Sequence, residues 1–321
     1  MTMQAIVQHR YGSPEVLSME AVDRPVPRDG QALVRVHAAS LFAGDSFVVR
    51  GRPLLVRITT GLRRPRNPIP GIDVAGVVER VGPGVRRLQP GDRVFGWSSG
   101  TFADYVCDTE EHFVPMPANL SFEGAAAVPE AALTALQGLR DSGRVRAGQS
   151  VLVIGASGGV GTFAVQIARA LGATVTGVCS TRNLELVRSI GAESVIDYTA
   201  GDITTGADRY DVILQVAGTE SPMRLRRLLA PGGTLVLSSG MGRLNGVDRI
   251  VTALIASPFV RQRLTTFVTK ENHADLVTLR DLIKAGAVVP VIDRTYPLRQ
   301  AQDAFRHLES GHTQGKIVLT I

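Results

Sequence analysis

The run Val151–Gly161, VLVIGASGGVG, decides how the rest of the chain is read. Four apolar residues, Val151 to Ile154, predict a short buried strand. Gly155–Gly161 is a glycine-rich turn, and Thr162–Leu171 carries helical spacing at Phe163, Val165, Ile167, Ala168 and Leu171. Gly172 stands where a helix C-cap belongs, and Thr174–Val178 reads as a second strand. In that context Ala156-Ser157-Gly158-Gly159-Val160-Gly161 matches G-x-G-x-x-G with alanine in the first place. Gly158 lets the backbone approach a pyrophosphate, Gly161 lets the helix pack on the strand, and the open amides of the first helical turn face the anion. A plain strand-to-helix corner would use similar residues; the second strand behind the helix favours the dinucleotide reading.

The end of that second strand selects the cofactor. An NAD site places an Asp or Glu there to bond the ribose hydroxyls, whereas this chain reads Gly177-Val178-Cys179-Ser180-Thr181-Arg182. Ser180 and Thr181 offer hydroxyl donors and Arg182 a guanidinium, a set suited to the 2′-phosphate of NADP. The same three residues could form a helix cap with a solvated arginine, and their position after the strand favours the phosphate.

The 321 residues leave room for two domains, and 44% apolar with 20% charged residues is an ordinary globular composition. The N-terminus shows no basic-then-apolar leader, and no apolar run approaches the roughly 20 residues of a membrane span, so a cytoplasmic location without membrane association is expected. Cys107 and Cys179 are far apart, which argues against a disulfide or a metal cluster. The net charge of +6 comes almost wholly from arginines spread along the chain. The clusters Arg63-Arg64-Arg66 and Arg224-Arg226-Arg227 lack aromatic neighbours that could stack on bases, so they read as solvated faces and no nucleic-acid partner is expected.

Residues 1–124 look β-rich: Ala32–Ala38 alternates, Val74–Arg80 follows a glycine turn, and Gly82-Pro83-Gly84 and Pro90-Gly91-Asp92 punctuate the strands. Short strands with such turns predict a partly open barrel, with Leu54–Pro70 as a flap or lid loop. Phe122–Arg140 reads as one or two helices. Val151–Ile154, Thr174–Val178, Ser194–Asp197, Tyr210–Gln215 and Gly233–Leu237 then alternate with helical segments, the pattern of a doubly wound parallel sheet. Val260–Val268 is expected as the last strand, its free edge pairing with a second copy in a homodimer. Val288–Pro297, Leu298–Leu308 and Ile317–Ile321 return a strand, a helix and a strand to the first domain. The expected fold is therefore α/β: a β-rich catalytic domain at 1–124 completed by 271–321, and a dinucleotide-binding domain at 125–270.

Several motifs together resemble the zinc-free, quinone-oxidoreductase-like branch of the medium-chain dehydrogenase/reductases. They are Gly71-Ile72-Asp73-Val74-Ala75-Gly76, Pro90-Gly91-Asp92-Arg93-Val94-Phe95-Gly96, Ala125-Ala126-Ala127-Val128-Pro129 with Leu133-Thr134-Ala135, the glycine-rich turn, Ile196-Asp197-Tyr198 and Pro231-Gly232-Gly233. The resemblance implies a GroES-like catalytic domain with an inserted Rossmann domain, NADPH as hydride donor and a homodimer. Carried over by position, it implies Ala156 to Gly161 at the pyrophosphate, and Ser180, Thr181, Arg182 and Tyr198 at the adenosine phosphate. Thr134 would lie near the nicotinamide, with Val216 and Ala217 also at the cofactor, Ser238 or Ser239 near the carboxamide, and Lys316 reaching cofactor or substrate. Asn183 stands where many relatives carry a phosphate-binding lysine, which leaves Arg182 that task.

No zinc is expected. Gly71-Ile72-Asp73 replaces the Gly-His-Glu of zinc-dependent relatives, Leu41–Asp45 lacks a cysteine, and no four-cysteine cluster exists. The carbonyl would then be activated by hydrogen bonds and positioning, which suits a quinone or an α,β-unsaturated carbonyl. Phe42, Asp45, Glu130 and Thr134 are the candidate pocket, with Asp45 and Glu130 as candidate proton handlers; Asp45 reads more readily as a structural residue, and Glu130, in an apolar stretch beside Pro129, as a pocket residue or a helix-start charge. His37 reads as a satisfied structural residue. Phe42-Ala43-Gly44-Asp45 lacks the asparagine usual in this loop, and Gln215-Val216-Ala217-Gly218 replaces the usual Asp-Asn-Val-Gly. Those losses motivate the alternative of a non-catalytic dinucleotide-binding regulatory or structural protein, RNA binding included.

Overall fold

The structure, a computed structural model, describes residues 1–238, 252–253, 257 and 260–321. These form two compact units. One comprises Met1–Ala131, Glu271–Lys284 and Pro290–Ile321; the other comprises Ala132–Lys270 and Ala285–Val289.

In the first unit β1 (Thr2–Gln8) and β2 (Leu17–Asp23) form an antiparallel pair. A seven-stranded mixed sheet is built on β3 (Gln31–Leu41), whose buried run Ala38–Leu41 marks a strand covered on both faces. β4 (Asp73–Val81), β5 (Arg93–Trp97) and β7 (Phe113–Pro115) continue it on one side, with β6 (Tyr105–Thr109) also on β3. Gly76 permits the close approach of β4 to β3, since a Cβ there would lie 2.1 Å from the Arg35 carbonyl oxygen. The path is open: its edge strands do not pair with each other. Val34, Val36, Val74, Val94, Val106 and Phe113 form one apolar cluster of this unit.

On the other side of β3 the sheet is completed from the far end of the chain. β15 (Lys316–Thr320) runs antiparallel to β3, and β14 (Ile292–Pro297) runs parallel to β15. The helix Ala301–Glu309 between them buries Ala301, Ala304 and Phe305, the three-and-four spacing of one helical face. Phe305 meets Phe102 edge-on at 6.1 Å in a second cluster with Leu41, Ile317 and Leu319.

The second unit holds a six-stranded, all-parallel sheet. Its strands are β8 (Ser150–Ile154), β9 (Thr174–Cys179), β10 (Ser194–Asp197), β11 (Tyr210–Gln215), β12 (Leu229–Leu237) and β13 (Arg263–Thr266). The spatial order is β10-β9-β8-β11-β12-β13, so the chain winds outward from β8 in one direction and then outward from β11 in the other. That reversal is the Rossmann switch point, and ligands bind where strands end at their carboxyl edge beside it. β8 and β11 are nearly continuous buried runs, as a parallel sheet covered on both faces requires.

Some sequence expectations are corrected. The last strand is shorter than Val260–Val268, pairing with β12 only from Arg263 to Thr266. Within Leu54–Pro70 there is a short helix, Val56–Thr60, in which the Thr59 and Thr60 hydroxyls donate to the Val56 carbonyl. The Phe122–Arg140 segment, by contrast, forms two helices within the expected one or two, Phe122–Ala126 and Pro129–Gln137, with Pro129, which has no amide to continue a preceding helix, opening the second. A π-helical stretch, Gly138–Gly143, follows directly. The helix expected over Leu298–Leu308 begins only at Ala301, after a 3-10 turn. No described helix is long and apolar enough to cross a membrane.

Candidate cofactor and active-site residues

In the second unit the helix Gly159–Ala170 starts directly after the turn at the carboxyl end of β8, with Gly158 as its N-cap. The turn folds back on β9: the Gly155 and Ala156 amides donate to the Val178 carbonyl at 3.1 and 3.0 Å. Gly155 adopts φ +90°, and a Cβ on Gly161 would lie 2.0 Å from the Gly155 oxygen, so the first helical turn sits against the strand end. At Gly158 the contrast is informative, because an added Cβ would meet only the Gly155 oxygen, at 3.5 Å. Its missing side chain leaves open space at the mouth of the turn, where a phosphate could approach the first-turn amides. The residues present therefore fit a dinucleotide pyrophosphate.

Asn183 ties the segment after β9 to this turn. Asn183, buried at the start of the helix Leu184–Ser189, donates from Nδ2 to Ser157 Oγ at 2.8 Å and to Ser180 Oγ at 3.3 Å. The residue standing where relatives carry lysine thus couples the phosphate turn to the hydroxyl at the end of β9. Thr181 is engaged differently from the expectation of a free phosphate donor: its hydroxyl donates to Asp197 Oδ2. The other Asp197 oxygen accepts from the Thr199 amide at 2.8 Å and hydroxyl at 2.6 Å. These hydrogen bonds, led by that of Thr181, hold Asp197 below the usual carboxylate range. Asp197 lies opposite Cys179 in the β9–β10 pairing, so a carboxylate does stand near the cofactor-selecting end of β9, supplied by the next strand. Reading β9 alone misses it. Tyr198 beside it is half exposed, with its amide bonded to the Cys179 carbonyl.

At the end of β11 the fully buried Gln215 donates to Glu220 Oε2 at 3.1 Å, and the Val216 amide reaches the Ile154 carbonyl at 3.0 Å. Ala217 packs against the phosphate turn, 2.6 Å from where a Gly155 Cβ would stand. Ser238 follows β12 with its amide on the Gln215 carbonyl, and Ser239 lies outside the described residues. Thr134 is nearly buried and shares a 2.8 Å hydroxyl–hydroxyl bond with Thr269.

In the first unit Asp73 and Lys316, distant in the chain, meet beside Glu130. Asp73, at the start of β4, is fully buried, as is Lys316 at the start of β15; the Lys316 Nζ donates to Asp73 Oδ2 at 3.1 Å. Ser40 Oγ donates to the same oxygen at 2.8 Å, and the Glu130 amide donates to Oδ1 at 2.9 Å. Lys316 is thus a buried lysine whose ammonium bonds Asp73. Asp45, also buried, accepts the Phe42 amide at 2.9 Å and so caps the helix Ala43–Arg50, whose first turn the Phe42 ring covers at Gly44. Burial, with the nearby Asp73 charge, pushes the Asp45 carboxyl up to about 8 against the opposing pull of the Phe42 amide. Burial likewise raises Glu130 to about 7, with Asp73 adding to the rise and Lys316 opposing it. His37 departs from expectation. Its Nε2 has no hydrogen-bond partner among the described residues, its ring stacks on Phe122 at 4.3 Å, and burial lowers its pKa.

Comparison with known proteins agrees with this architecture. Residues 28–118 match the family model described as alcohol dehydrogenase GroES-like domain, and residues 190–319 match that described as zinc-binding dehydrogenase. An NADPH-dependent alkenal/one oxidoreductase of Arabidopsis thaliana is 33% identical over 332 residues, covering 99% of this chain and 79% of that protein. A quinone oxidoreductase of Rattus norvegicus is 34% identical over 326 residues, covering 98% and 96%. The solved quinone oxidoreductase of Coxiella burnetii superposes with a TM-score of 0.89 at 29% identity, covering 100% of both chains. The chain belongs to the medium-chain dehydrogenase/reductase family, on its quinone-oxidoreductase-like side. It is a member of a family of NAD(P)H-dependent oxidoreductases.

Proposed function

We propose that this protein reduces a quinone or an α,β-unsaturated carbonyl with NADPH and without zinc. The observation that carries the reading is the end of β9. Ser180 and Arg182 follow the strand, and the neighbouring carboxylate, Asp197, has both oxygens taken by Thr181 and Thr199 in place of ribose hydroxyls. The Arabidopsis relative's name supports the same cofactor and substrate class.

When bound, the nicotinamide supplies the hydride. The first-turn amides after Gly158 hold the pyrophosphate, and Arg182 with Ser180 holds the 2′-phosphate. Glu130, raised to about 7, exchanges a proton near neutral pH and is the proton source we assign to the reduction. Phe42 supplies an apolar wall, and Thr134, Val216, Ala217 and Ser238 position the cofactor. The zinc-free reading is supported by Asp73, which is given over to Lys316 and Ser40. Among the described residues no three His, Cys, Asp or Glu side chains gather as metal ligands. We further place it in the cytoplasm as a homodimer, with 1–124 and 271–321 as the catalytic domain and 125–270 as the cofactor domain.

The test is NADPH oxidation by the purified protein against a panel of quinones and enones. Acceptor-dependent oxidation, weakened by Glu130→Gln more at high than at low substrate, is expected. NADPH binding with no turnover of any acceptor would instead favour the non-catalytic dinucleotide-binding alternative, which the phenylalanine at position 42 motivates.

A further inference from the structure

The amino-terminal ends of β8, β11, β12 and β13 lie along the edge of the parallel sheet opposite the phosphate turn, and an open cavity of about 360 Å³ lies there. Arg144, Arg146 and Arg263 line it, with Asp211 as its one lining carboxylate. A volume of this order accommodates a small ligand.

The cavity is built by features that cost local stability. β12 carries several more residues than β11 between the pairs Tyr210–Leu229 and Val212–Thr234, so the Pro231-Gly232-Gly233 segment bulges from the ladder. Gly232 adopts φ +78°, and a Cβ on Gly233 would lie 3.0 Å from the Tyr210 and Asp211 oxygens. Opposite the bulge, Arg144 terminates the π-helical stretch at φ +55° and is the only non-glycine residue with positive φ among those described. Arginine has no intrinsic reason to sit in the left-handed region, where glycine or asparagine would be relaxed.

The charges lining the cavity do not balance. Asp211 Oδ2 is taken up by Ser150, from its amide at 2.8 Å and its hydroxyl at 3.0 Å, which pins the starts of β8 and β11 together. Arg263 is fixed by a 3.0 Å bond from Nη1 to the Ser142 carbonyl. Arg144 and Arg146 are exposed at the rim. Three guanidiniums line the cavity against a single carboxylate, an excess of positive charge carried by the side chain that bonds phosphoryl oxygens bidentately.

We propose that this edge is a second anion site that takes a compact phosphorylated small molecule, apart from the cofactor's own phosphates. The probe is pyrophosphate, titrated calorimetrically into the whole protein and into two variants, Arg144→Ala/Arg146→Ala and Arg182→Ala. The expected result is binding that weakens at least tenfold in the double variant and is retained in Arg182→Ala. The double variant should melt and bind NADPH as the parent does, since both side chains are exposed. No binding to the parent, unchanged binding by the double variant, or loss in Arg182→Ala would each overturn the proposal. An Arg263→Lys variant keeps the charge and loses the planar fork, and should fall between parent and double variant. None of these readings depends on turnover, so failure of the reductase assignment would remain distinguishable.

Discussion

Lys316 and Asp73 are 243 positions apart, and their ion pair closes over almost complete burial. Removing only the cation strands a buried carboxylate with two hydrogen-bond donors, which in comparable sites costs about 3–5 kcal/mol. Lys316→Met is therefore expected to lower the free energy of unfolding by that order in urea titration, and Lys316→Arg by less. Asp45 gives a pH dependence. Its carboxyl titrates at about 8 in the folded protein, above its ordinary 3.8, so the folded state holds the proton more tightly. The associated stability is complete below the unfolded value and is lost as pH rises through 8, with a slope of up to about 1.4 kcal/mol per pH unit. Asp45→Asn, which still accepts the Phe42 amide, should flatten the decline between pH 5 and 8 in denaturation curves. Arg144→Gly relieves a left-handed arginine and should stabilise the protein by about 0.5–1 kcal/mol, even as it removes a charge from the proposed anion site.

At the scale of elements, the strand, turn and helix from Val151 to Ala170 were legible because each step has a local cause: an apolar run, glycines and helical spacing. Gly161→Ala would drive a methyl to within about 2 Å of the Gly155 oxygen, so the helix start must shift; NADPH affinity should drop at least tenfold by calorimetry. The carboxylate pair of the first unit was half legible. Glu130 stood out as an acid in an apolar stretch and Asp45 by its place in the Phe42–Asp45 loop, but nothing local tells that β4 and β15 bring Asp73 and Lys316 together with them. The role of Asp197 was hidden for the same reason, since it reaches Thr181 across a strand pairing and not along the chain. The π-helical stretch after Gln137 has no signature in helical periodicity, because Gly138 is placed by its close approach to Phe267 and Leu214.

At the scale of the whole molecule, the fold class follows from pattern counting, strands first and then alternating strands and helices, and the strand order supplied the switch point. The extent of the last strand did not follow, because Phe267 and Val268 continue the apolar pattern past the four residues that pair. β13 is the terminal strand of its sheet, and the homodimer we propose covers that edge. Sedimentation equilibrium should give twice the chain mass, and a monomer at micromolar concentration would contradict it. The reductase reading itself is tested most directly by isotope transfer. The protein is given NADPH carrying deuterium at nicotinamide C4, on each face in turn, with an α,β-unsaturated ketone, and the product is analysed by mass spectrometry. One deuterium at the β-carbon, from one face only, is expected; a saturated product without label, or no product while NADPH binds, would contradict the reductase reading.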